Sequence, residues 1–205
     1  MGGRTETPLR QRLRDWLGLA AMLLVLLAAR ATLADHYHVP SGSMRPTLQL
    51  GDRLVVDKRA YGLRVPLTEH YLVEYGEPAA GEVVVLLSPD DGEVLVKRVA
   101  AVPGQTVAVR RGRLIVDGAI LPIERDERGA LVERLSGVEH GVRLTRGGGP
   151  DLGPLALPPG RFLVLGDNRG ASHDGRSFGL VRREAILGCV LGVYWRDGGP
   201  TWLDL

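Results

Sequence analysis

Apolar residues are most concentrated near the N-terminus, in a run that predicts a helix. From Trp16 to Ala34 nearly every residue is apolar, and Arg30 lies close to the far end. A helix that crosses a bilayer needs about 20 mostly apolar residues, and an arginine near its end can reach the lipid headgroups. The pattern predicts a transmembrane anchor over residues 16–34. Because arginines collect on the cytoplasmic side of such helices, residues 1–15 are predicted to form a cytoplasmic tail.

A cleaved secretory signal peptide is the alternative interpretation of the same run. Such a peptide has a basic start, an apolar centre and a cleavage site made of small residues. Residues 29–31 and residues 32–34 both fit such a site. The strictly uninterrupted apolar run is also only about 14 residues long, which is short for a spanning helix. Both interpretations place the rest of the chain beyond a membrane.

After residue 34 the apolar residues form short alternating or continuous runs, which predict strands. The segments between these runs are rich in glycine and proline and are typical of turns. The predicted strands cover residues 51–58, 82–88, 93–101 and 157–166, with a hairpin over residues 106–118. Residues 59–80 are interpreted as a loop.

This strand pattern predicts a mostly β fold. We expect a compact antiparallel β-sheet domain built from residues 35–111 and 159–205. Residues 112–158 are predicted to form a small inserted subdomain of β and irregular structure, and residues 124–160 are charged and glycine-rich. A chain of 205 residues has room for one such compact unit and an appendage.

Charge and cysteine content exclude several kinds of protein. The chain has 26 basic and 24 acidic residues, so its pI of about 8.9 reflects no basic stripe, and nucleic-acid binding is not expected. Cys189 is the single cysteine, which excludes an intrachain disulfide. The sequence contains neither a metal-ligand cluster nor a phosphate-binding loop, so we expect no metal and no cofactor.

Two serines in a stiff turn are the first candidates for chemistry. Ser41 and Ser43 flank a glycine, and Pro40 and Pro46 bracket them. Proline fixes its own φ angle and restricts the residue before it, so the turn is held from both sides. Such a turn suits a nucleophile, which a neighbouring base must activate. A polar surface turn is the alternative interpretation.

Lys97 is the candidate base. It lies in the predicted strand over residues 93–101, where alternation puts it on the same face as Leu95 and Val99. A lysine between aliphatic side chains is either a desolvated base with a lowered pKa or a charged residue that protects a sheet edge.

Four blocks of sequence occur in an order that carries a family resemblance. They are residues 40–48, Gly51-Asp52, Lys97-Arg98-Val99 running into Pro103-Gly104, and residues 166–169 with Ser172, Asp174 and Arg176. In these blocks the chain resembles the type I signal peptidases (leader peptidases). Members of that family are membrane-bound serine proteases with a Ser–Lys dyad, and they remove signal peptides from exported proteins. The resemblance covers most of the chain outside residues 112–158.

The resemblance implies a role for several side chains. Ser43 is the nucleophile and Lys97 the general base. The Ser41 hydroxyl and the Ser43 backbone N–H hold the oxyanion, and Ser172 orients Lys97.

An ion pair between Asp174 and Arg176 supports the site in the family. The chain departs from the family pattern at residues 170–171, Gly175 and Phe178. These departures concern the support of the dyad rather than the dyad itself.

The resemblance also implies the substrate and its location. The substrates are exported preproteins cut after Ala-x-Ala-like sites. Shallow pockets for alanine-sized side chains are expected at Tyr37, Val39, Pro40, Leu48, Leu95 and Val96. The enzyme would be a single-pass protein of the cell membrane, in contact with the lipid bilayer and with its catalytic domain on the extracytoplasmic side. Because Ser43 follows the predicted helix by only a few residues, we favour the retained anchor. The oligomeric state stays open.

Three alternative functions are compatible with the same sequence. One is a Ser–Lys protease that cuts itself or one partner, although proteases of that kind are soluble. Another is a membrane-tethered β-domain that binds without catalysis, which the presence of both Ser43 and Lys97 disfavours. A Ser-His-Asp hydrolase is the third, with His70 as its base, but no Gly-x-Ser-x-Gly motif is present.

Overall fold

Antiparallel strands make up most of the structure, a computed structural model that describes residues 8–64 and 71–205. Helix α1 is Pro8–Leu33 and a single helical turn, α2, is Gly175–Phe178. Short 3₁₀ turns lie at Thr145–Gly148, Arg169–Ala171 and Arg183–Ala185. The strands are β1 Ala34–His38, β2 Arg53–Asp57, β3 Gly62–Arg64, β4 Tyr71–Glu74, β5 Val83–Leu87, β6 Val94–Ala101, β7 Thr106–Arg110, β8 Arg113–Val116, β9 Ala119–Ile120, β10 Ile123–Arg125, β11 Leu131–Leu135, β12 Val138–Gly141, β13 Leu152–Ala156, β14 Arg161–Leu165, β15 Val181–Arg182, β16 Ile186–Arg196 and β17 Gly199–Asp204.

The N-terminal helix α1 contains nearly all of the predicted anchor and leads directly into β1. Each of its side chains that the structure describes, over residues 11–23, is exposed. Among the described residues, no helix is at once long enough and apolar enough to cross a membrane. Residues 1–7 of the predicted tail lie outside the described residues.

Eight strands form the main sheet, in the order β1-β2-β16-β5-β6-β14-β15, with β17 paired to β16. Neighbouring strands in it run antiparallel. The strands predicted from the apolar runs correspond to β2, β5, β6 and β14, and the predicted hairpin corresponds to β7 and β8. The expectation of a mostly β, antiparallel fold is confirmed.

The central strand β5 is buried on both faces because alternate side chains enter different cores. Val83 and Val85 pack in one apolar cluster, which also contains Met44 and Leu48 of the serine turn. Val84 packs on the opposite face, with Val99 and Phe162 among others. The serine turn therefore lies against one side of the sheet and is held there by its own apolar side chains.

Residues 106–156 form two further sheets, of which the sequence predicts only the hairpin of β7 and β8. One has the order β13-β7-β8-β9 and the other the order β10-β11-β12. A third core cluster joins them to the main sheet, with Val107 and Leu135 packed beside Leu163. Because β7 precedes residue 112, the four-stranded sheet crosses the predicted boundary at residues 111–112. The division into a catalytic domain and an inserted subdomain stays a prediction.

The segment interpreted as a loop over residues 59–80 is a hairpin in part. Strands β3 and β4 pair antiparallel there, and Tyr75 donates a hydrogen bond to the Arg59 carbonyl at 2.6 Å. Short strands flanked by glycine and polar residues give little alternation, which is why the pattern was misread. His70 lies outside the described residues.

Candidate active site

The turn that carries Ser43 is fixed by burial and by backbone hydrogen bonds. Met44 and Leu48 are 1% and 0% exposed. The Leu48 N–H donates to the Met44 carbonyl at 2.9 Å, and the Arg45 N–H donates to the Gly42 carbonyl at 3.2 Å. The side chains that follow the serine therefore anchor the turn to the sheet, and its hydroxyl has a defined position.

Asn168 holds the same turn from the opposite side. Its backbone N–H donates to the Ser43 carbonyl at 2.9 Å, and its side-chain amide donates to the Gly42 carbonyl at 3.1 Å. Thr145 donates in turn to the Asn168 side-chain oxygen at 2.8 Å. The loop after β14 is therefore bonded directly to the serine turn.

Lys97 reaches Ser43 from strand β6. Its Nζ lies 2.8 Å from Ser43 Oγ and 3.2 Å from the Val96 carbonyl oxygen. Lys97 is 2% exposed and Ser43 is 8% exposed, so little water reaches the contact between them. Nucleophile and base therefore stand within hydrogen-bond distance, as activation of a serine requires.

Burial makes Lys97 a better base. Removal from water disfavours the charged ammonium and lowers its pKa to about 8, although the carboxylates of Asp174 and Asp167 act in the opposite direction. At that pKa about a tenth of the amine is neutral at pH 7, far more than for an ordinary lysine. A neutral amine can accept the proton of the Ser43 hydroxyl.

Two hydrogen-bond donors stand beside the nucleophile. Ser41 Oγ lies 3.2 Å from Ser43 Oγ. The Ser43 backbone N–H has no acceptor within the part of the chain that the structure describes. Both groups occupy the surroundings in which a developing oxyanion would need donors.

Gly166 lies between the serine turn and Ser172. A Cβ atom at this position would meet Ser172 Oγ at 2.2 Å and the Ser43 carbonyl oxygen at 2.5 Å, so only glycine fits. Ser172 Oγ is buried without a hydrogen-bond partner among the described residues. Its hydroxyl nevertheless lies near enough to Asp174 to favour the carboxylate form of that residue. The predicted hydrogen bond from Ser172 to Lys97 is not formed here, and its role in orienting the lysine stays a prediction.

Asp174 and Arg176 form a buried ion pair at the start of α2. The guanidinium of Arg176 meets both Asp174 oxygens at 2.8 Å, and the Gly166 N–H donates to Asp174 at 3.0 Å. Burial opposes ionisation of Asp174, but the hydrogen bonds and the charge of Arg176 outweigh it and lower the pKa of the carboxyl. The pair joins α2 to the end of β14 next to the dyad.

A second buried ion pair lies behind the serine turn. The guanidinium of Arg98 meets the two Asp167 oxygens at 2.9 and 2.8 Å, and Thr47 donates to Asp167 at 2.5 Å. Thr47 belongs to the serine turn, so the pair connects strand β6 to the segment that carries the nucleophile.

A third ion pair extends this network to the three-stranded sheet. Arg169 donates to both carboxylate oxygens of Glu133 and to the Gly112 carbonyl. His140 Nε2 lies 3.5 Å from the same carboxylate. Burial opposes ionisation of Glu133, but His140 and Arg169 outweigh it and lower its pKa. Arginine is suited to such sites because its planar fork matches a carboxylate.

An open cavity of about 340 Å³ lies directly over the dyad. Ser43 and Lys97 form part of its wall, and its other lining residues are Ser41, Gly42, Arg45, Leu95, Arg143, Asn168, Ala171 and His173. A peptide carbonyl placed in it would lie within reach of the nucleophile, the base and the Ser41 hydroxyl.

Comparisons with known proteins decide the family. The model of the family described as signal peptidase, peptidase S26, matches residues 13–195. The signal peptidase I of Pseudomonas fluorescens is 33% identical, over 84% of this chain and 69% of that protein. That of Pseudomonas aeruginosa is 34% identical, over 86% and 70%. That of Bacillus licheniformis is 32% identical, over 93% and 92%.

The chain belongs to the signal peptidase family S26. The predicted relationship is confirmed, and with it the prediction of a serine endopeptidase. The matched region, residues 13–195, includes the serine turn, strand β6 and the loop after β14. All elements that bring the dyad together therefore lie within the family match.

The residues predicted to bind the signal peptide occupy different surroundings. Leu95 lines the cavity over the dyad. Val39 and Leu48 are buried in the core cluster beneath the serine turn, and Tyr37 and Val96 pack against that cluster. Pro40 is exposed. Fully buried side chains such as Leu48 support the turn, and their contact with a substrate stays a prediction.

Sequence reasoning missed several residues that organise this signal peptidase site. The roles of Asn168 and of the Asp167 carboxylate were not assigned, although both lie in a block that carries the family resemblance. Glu133 and His140 were missed entirely because they lie in the region interpreted as charged and solvated. A charged residue that alternates with apolar neighbours, as Glu133 does in β11, was the available signal.

Proposed function

We propose that the chain removes signal peptides from exported preproteins with Ser43 as nucleophile and Lys97 as general base. One observation carries the proposal: a buried lysine amine, with its pKa lowered to about 8, stands 2.8 Å from a serine hydroxyl. The family membership supplies the substrate class, since the relatives are signal peptidases.

The reaction begins with transfer of the Ser43 proton to the neutral amine of Lys97. Ser43 Oγ attacks the carbonyl carbon of the cleaved peptide bond, and the carbonyl oxygen becomes an oxyanion. The Ser43 N–H and the Ser41 hydroxyl donate hydrogen bonds to that oxyanion. Lys97 then gives its proton to the leaving amine, and an acyl-enzyme remains.

Hydrolysis of the acyl-enzyme repeats the same proton transfers. Lys97 takes a proton from a water molecule, which attacks the ester carbon. The proton returns to Ser43 Oγ as the signal peptide leaves. The hydrogen bond between Lys97 Nζ and the Val96 carbonyl keeps the amine aimed at the hydroxyl throughout.

The surrounding residues hold this geometry. Asp174 and Arg176 fix the loop that ends in Ser172, and we propose that Ser172 donates to or accepts from the Lys97 amine once substrate enters. We further propose that residues 35–111 and 159–205 carry the catalytic machinery. The substrate would bind extended, with alanine-sized side chains near Leu95 and Val96 and close to Tyr37, Val39, Pro40 and Leu48.

Helix α1 is proposed as a single-pass anchor in the cell membrane, with the catalytic part on the extracytoplasmic side. Residues 16–34 are mostly apolar, and arginines precede them. The described helix side chains are exposed, including Leu13, Trp16 and Met22 at 63%, 69% and 54%. Exposed apolar side chains of this kind favour contact with lipid over contact with water.

Cleavage of a preprotein with an Ala-x-Ala site tests the function. The purified protein in detergent should give one cut after the second alanine, and Ser43→Ala should give none. Arg110→Gln, an exposed substitution on the four-stranded sheet, serves as the control that keeps full activity. No cut of any such substrate by the unaltered protein would contradict the proposal.

Extraction of cell membranes tests the anchor. The full chain should stay in the membrane at alkaline pH, and a chain that begins at residue 35 should be released. Sequencing of the N-terminus of the mature protein separates the anchor from a cleaved signal peptide. A mature chain that begins near residue 32 or 35 would exclude the anchor.

A further inference from the structure

Two arginines lie in the wall of the cavity over the dyad. Arg45, Arg143 and His173 form part of its wall together with Lys97, and none of its ten described lining residues is acidic. His173 is bonded to Asp90 at 3.0 Å, outside the lining. Apart from the dyad, Arg45 and Arg143 therefore determine the charge of the cavity wall.

Neither arginine has a counter-ion. Within the described residues, the guanidinium groups of Arg45 and Arg143 make no hydrogen bond, ion pair or ring contact. By contrast, Arg98, Arg169 and Arg176 are each bonded to a carboxylate. The carboxylates closest to the dyad, those of Asp167 and Asp174, are thus already committed and cannot neutralise the cavity.

The backbone that carries each of these two arginines is held by hydrogen bonds. The Arg143 N–H donates to the Asp167 carbonyl and its own carbonyl accepts from Arg169, each at 2.9 Å. The Arg45 side chain lies over Gly42, where an added Cβ would meet Arg45 Cδ at 3.5 Å. Two positive groups with fixed origins beside the nucleophile form an electrostatic feature that a substrate meets on binding.

We propose that Arg45 and Arg143 form a subsite for an acidic side chain at the first or second position after the cleaved bond. This inference rests on the proposed function. The alanine-sized side chains before the bond are assigned to six residues, and five of these do not line the cavity. We therefore assign the part of the cavity lined by Arg45 and Arg143 to the chain on the other side of the bond, which is the start of the released protein.

The size of the cavity limits the reach of this subsite. A volume of about 340 Å³ has a width of roughly 9 Å, and an extended chain advances about 3.3 Å per residue. Only the first two or three residues after the bond lie inside it. Partly exposed ion pairs are modest, so we expect acidic over basic discrimination of about tenfold at low salt.

Binding to a Ser43→Ala variant tests the subsite without turnover. The probes are peptides with an Ala-x-Ala site followed by two residues that are glutamate, glutamine or lysine. We expect the glutamate peptide to bind about tenfold more tightly than the lysine peptide at 20 mM salt, and the difference to shrink at 0.5 M salt. Equal binding of the three peptides would overturn the proposal.

Cleavage by the active enzyme then assigns the preference to the two arginines. The preference is the ratio of kcat/KM for the glutamate peptide to that for the lysine peptide. Arg45→Gln and Arg143→Gln should each reduce this ratio, and the double variant should abolish the preference. Arg110→Gln is the matched control and should keep the full preference. A preference that survives in the double variant would show that other residues cause it.

These two measurements separate the subsite from the function. Charge-dependent binding without cleavage of any peptide would retain the subsite and contradict the proposed reaction. Cleavage of all three peptides with equal kcat/KM would retain the reaction and overturn the subsite.

Discussion

Two neighbouring residues of strand β6, Lys97 and Arg98, are equally buried but differ in their charge environment. They are 2% and 3% exposed, and strand alternation points them to opposite faces. Arg98 meets both oxygens of Asp167, whereas Lys97 meets only a hydroxyl and a carbonyl. The arginine is therefore neutralised by a counter-ion, while the lysine has none in contact.

The difference shows that contact with a counter-ion, rather than the degree of burial, determines the role of a buried basic side chain. Asp167 and Asp174 both act on Lys97, but each is bonded to an arginine, and burial dominates the lysine's pKa. A paired arginine contributes to structure, and an unpaired lysine becomes a base. The fold places one of each on a single strand, one residue apart.

Replacement of Lys97 by arginine should have the largest effect. A guanidinium does not lose its proton in proteins, so Lys97→Arg should lower kcat/KM by about 10²- to 10⁴-fold. Cleavage of an Ala-x-Ala preprotein measures this, with thermal unfolding as the check of the fold. Lys58→Arg, a partly buried lysine near Asp35, is the control that should keep activity. Near-normal cleavage by Lys97→Arg would refute the assigned base.

Removal of the counter-ion from Arg98 should have the next largest effect, on stability. Asp167→Leu leaves a buried guanidinium unpaired, which costs about 3–5 kcal/mol of unfolding free energy. For a chain of this size, the melting temperature should fall by roughly 6–20 °C. Calorimetry of the variant measures the shift.

A double variant separates the charge from the packing at this position. Arg98→Met combined with Asp167→Leu should recover most of the lost stability, because no unpaired charge remains. A double variant less stable than Asp167→Leu alone would mean that packing, not charge, is the cause.

The dependence of activity on pH should be the third effect in size. Lys97 acts while neutral and its pKa is lowered to about 8, so kcat/KM should rise about tenfold per pH unit below pH 8 and level off above it. The expected gain from pH 6 to the plateau is about hundredfold. A His173→Gln variant should show the same rise, since Lys97 and not His173 is hydrogen-bonded to Ser43 Oγ. Activity that is constant from pH 6 to 9 would contradict the lysine base.

Removal of an exposed ion pair should have the smallest effect, with almost no change in stability. Arg134 and Glu139 meet at 2.8 Å with side chains 69% and 58% exposed. Water screens such a pair, so Glu139→Gln should leave the melting temperature unchanged within measurement error. A clear fall would mean that pairing stabilises this fold even at its surface.

Much of the site could be predicted from the sequence because it depends on short motifs. The stiffness of the serine turn follows from the two prolines that bracket it. The position of Lys97 follows from the strand pattern around it. The strands β2, β5, β6 and β14 were recognisable for the same reason, since each forms its apolar pattern within a few residues.

The remaining features depend on contacts between distant residues. Arg169 and Glu133 are 36 residues apart in the chain, and neither carries a local sign of the other. The β-structure of residues 119–141 was hidden by short strands and frequent charges. Likewise, the burial of Leu48 depends on how the turn folds back onto the sheet, which no local pattern specifies.

Because of Arg169, the main sheet and the smaller sheets cannot be changed or removed independently of one another. Arg169 lies in the loop after β14, which is bonded to the serine turn. Its guanidinium donates hydrogen bonds to Glu133 and to the Gly112 carbonyl, both outside the main sheet. A shortened chain without residues 112–158 would leave the buried guanidinium of Arg169 without Glu133 and the Gly112 carbonyl. We therefore expect the main sheet and the two sheets of residues 106–156 to melt as one cooperative unit, so that the strands of the smaller sheets are needed for catalysis although they contribute no atom to it.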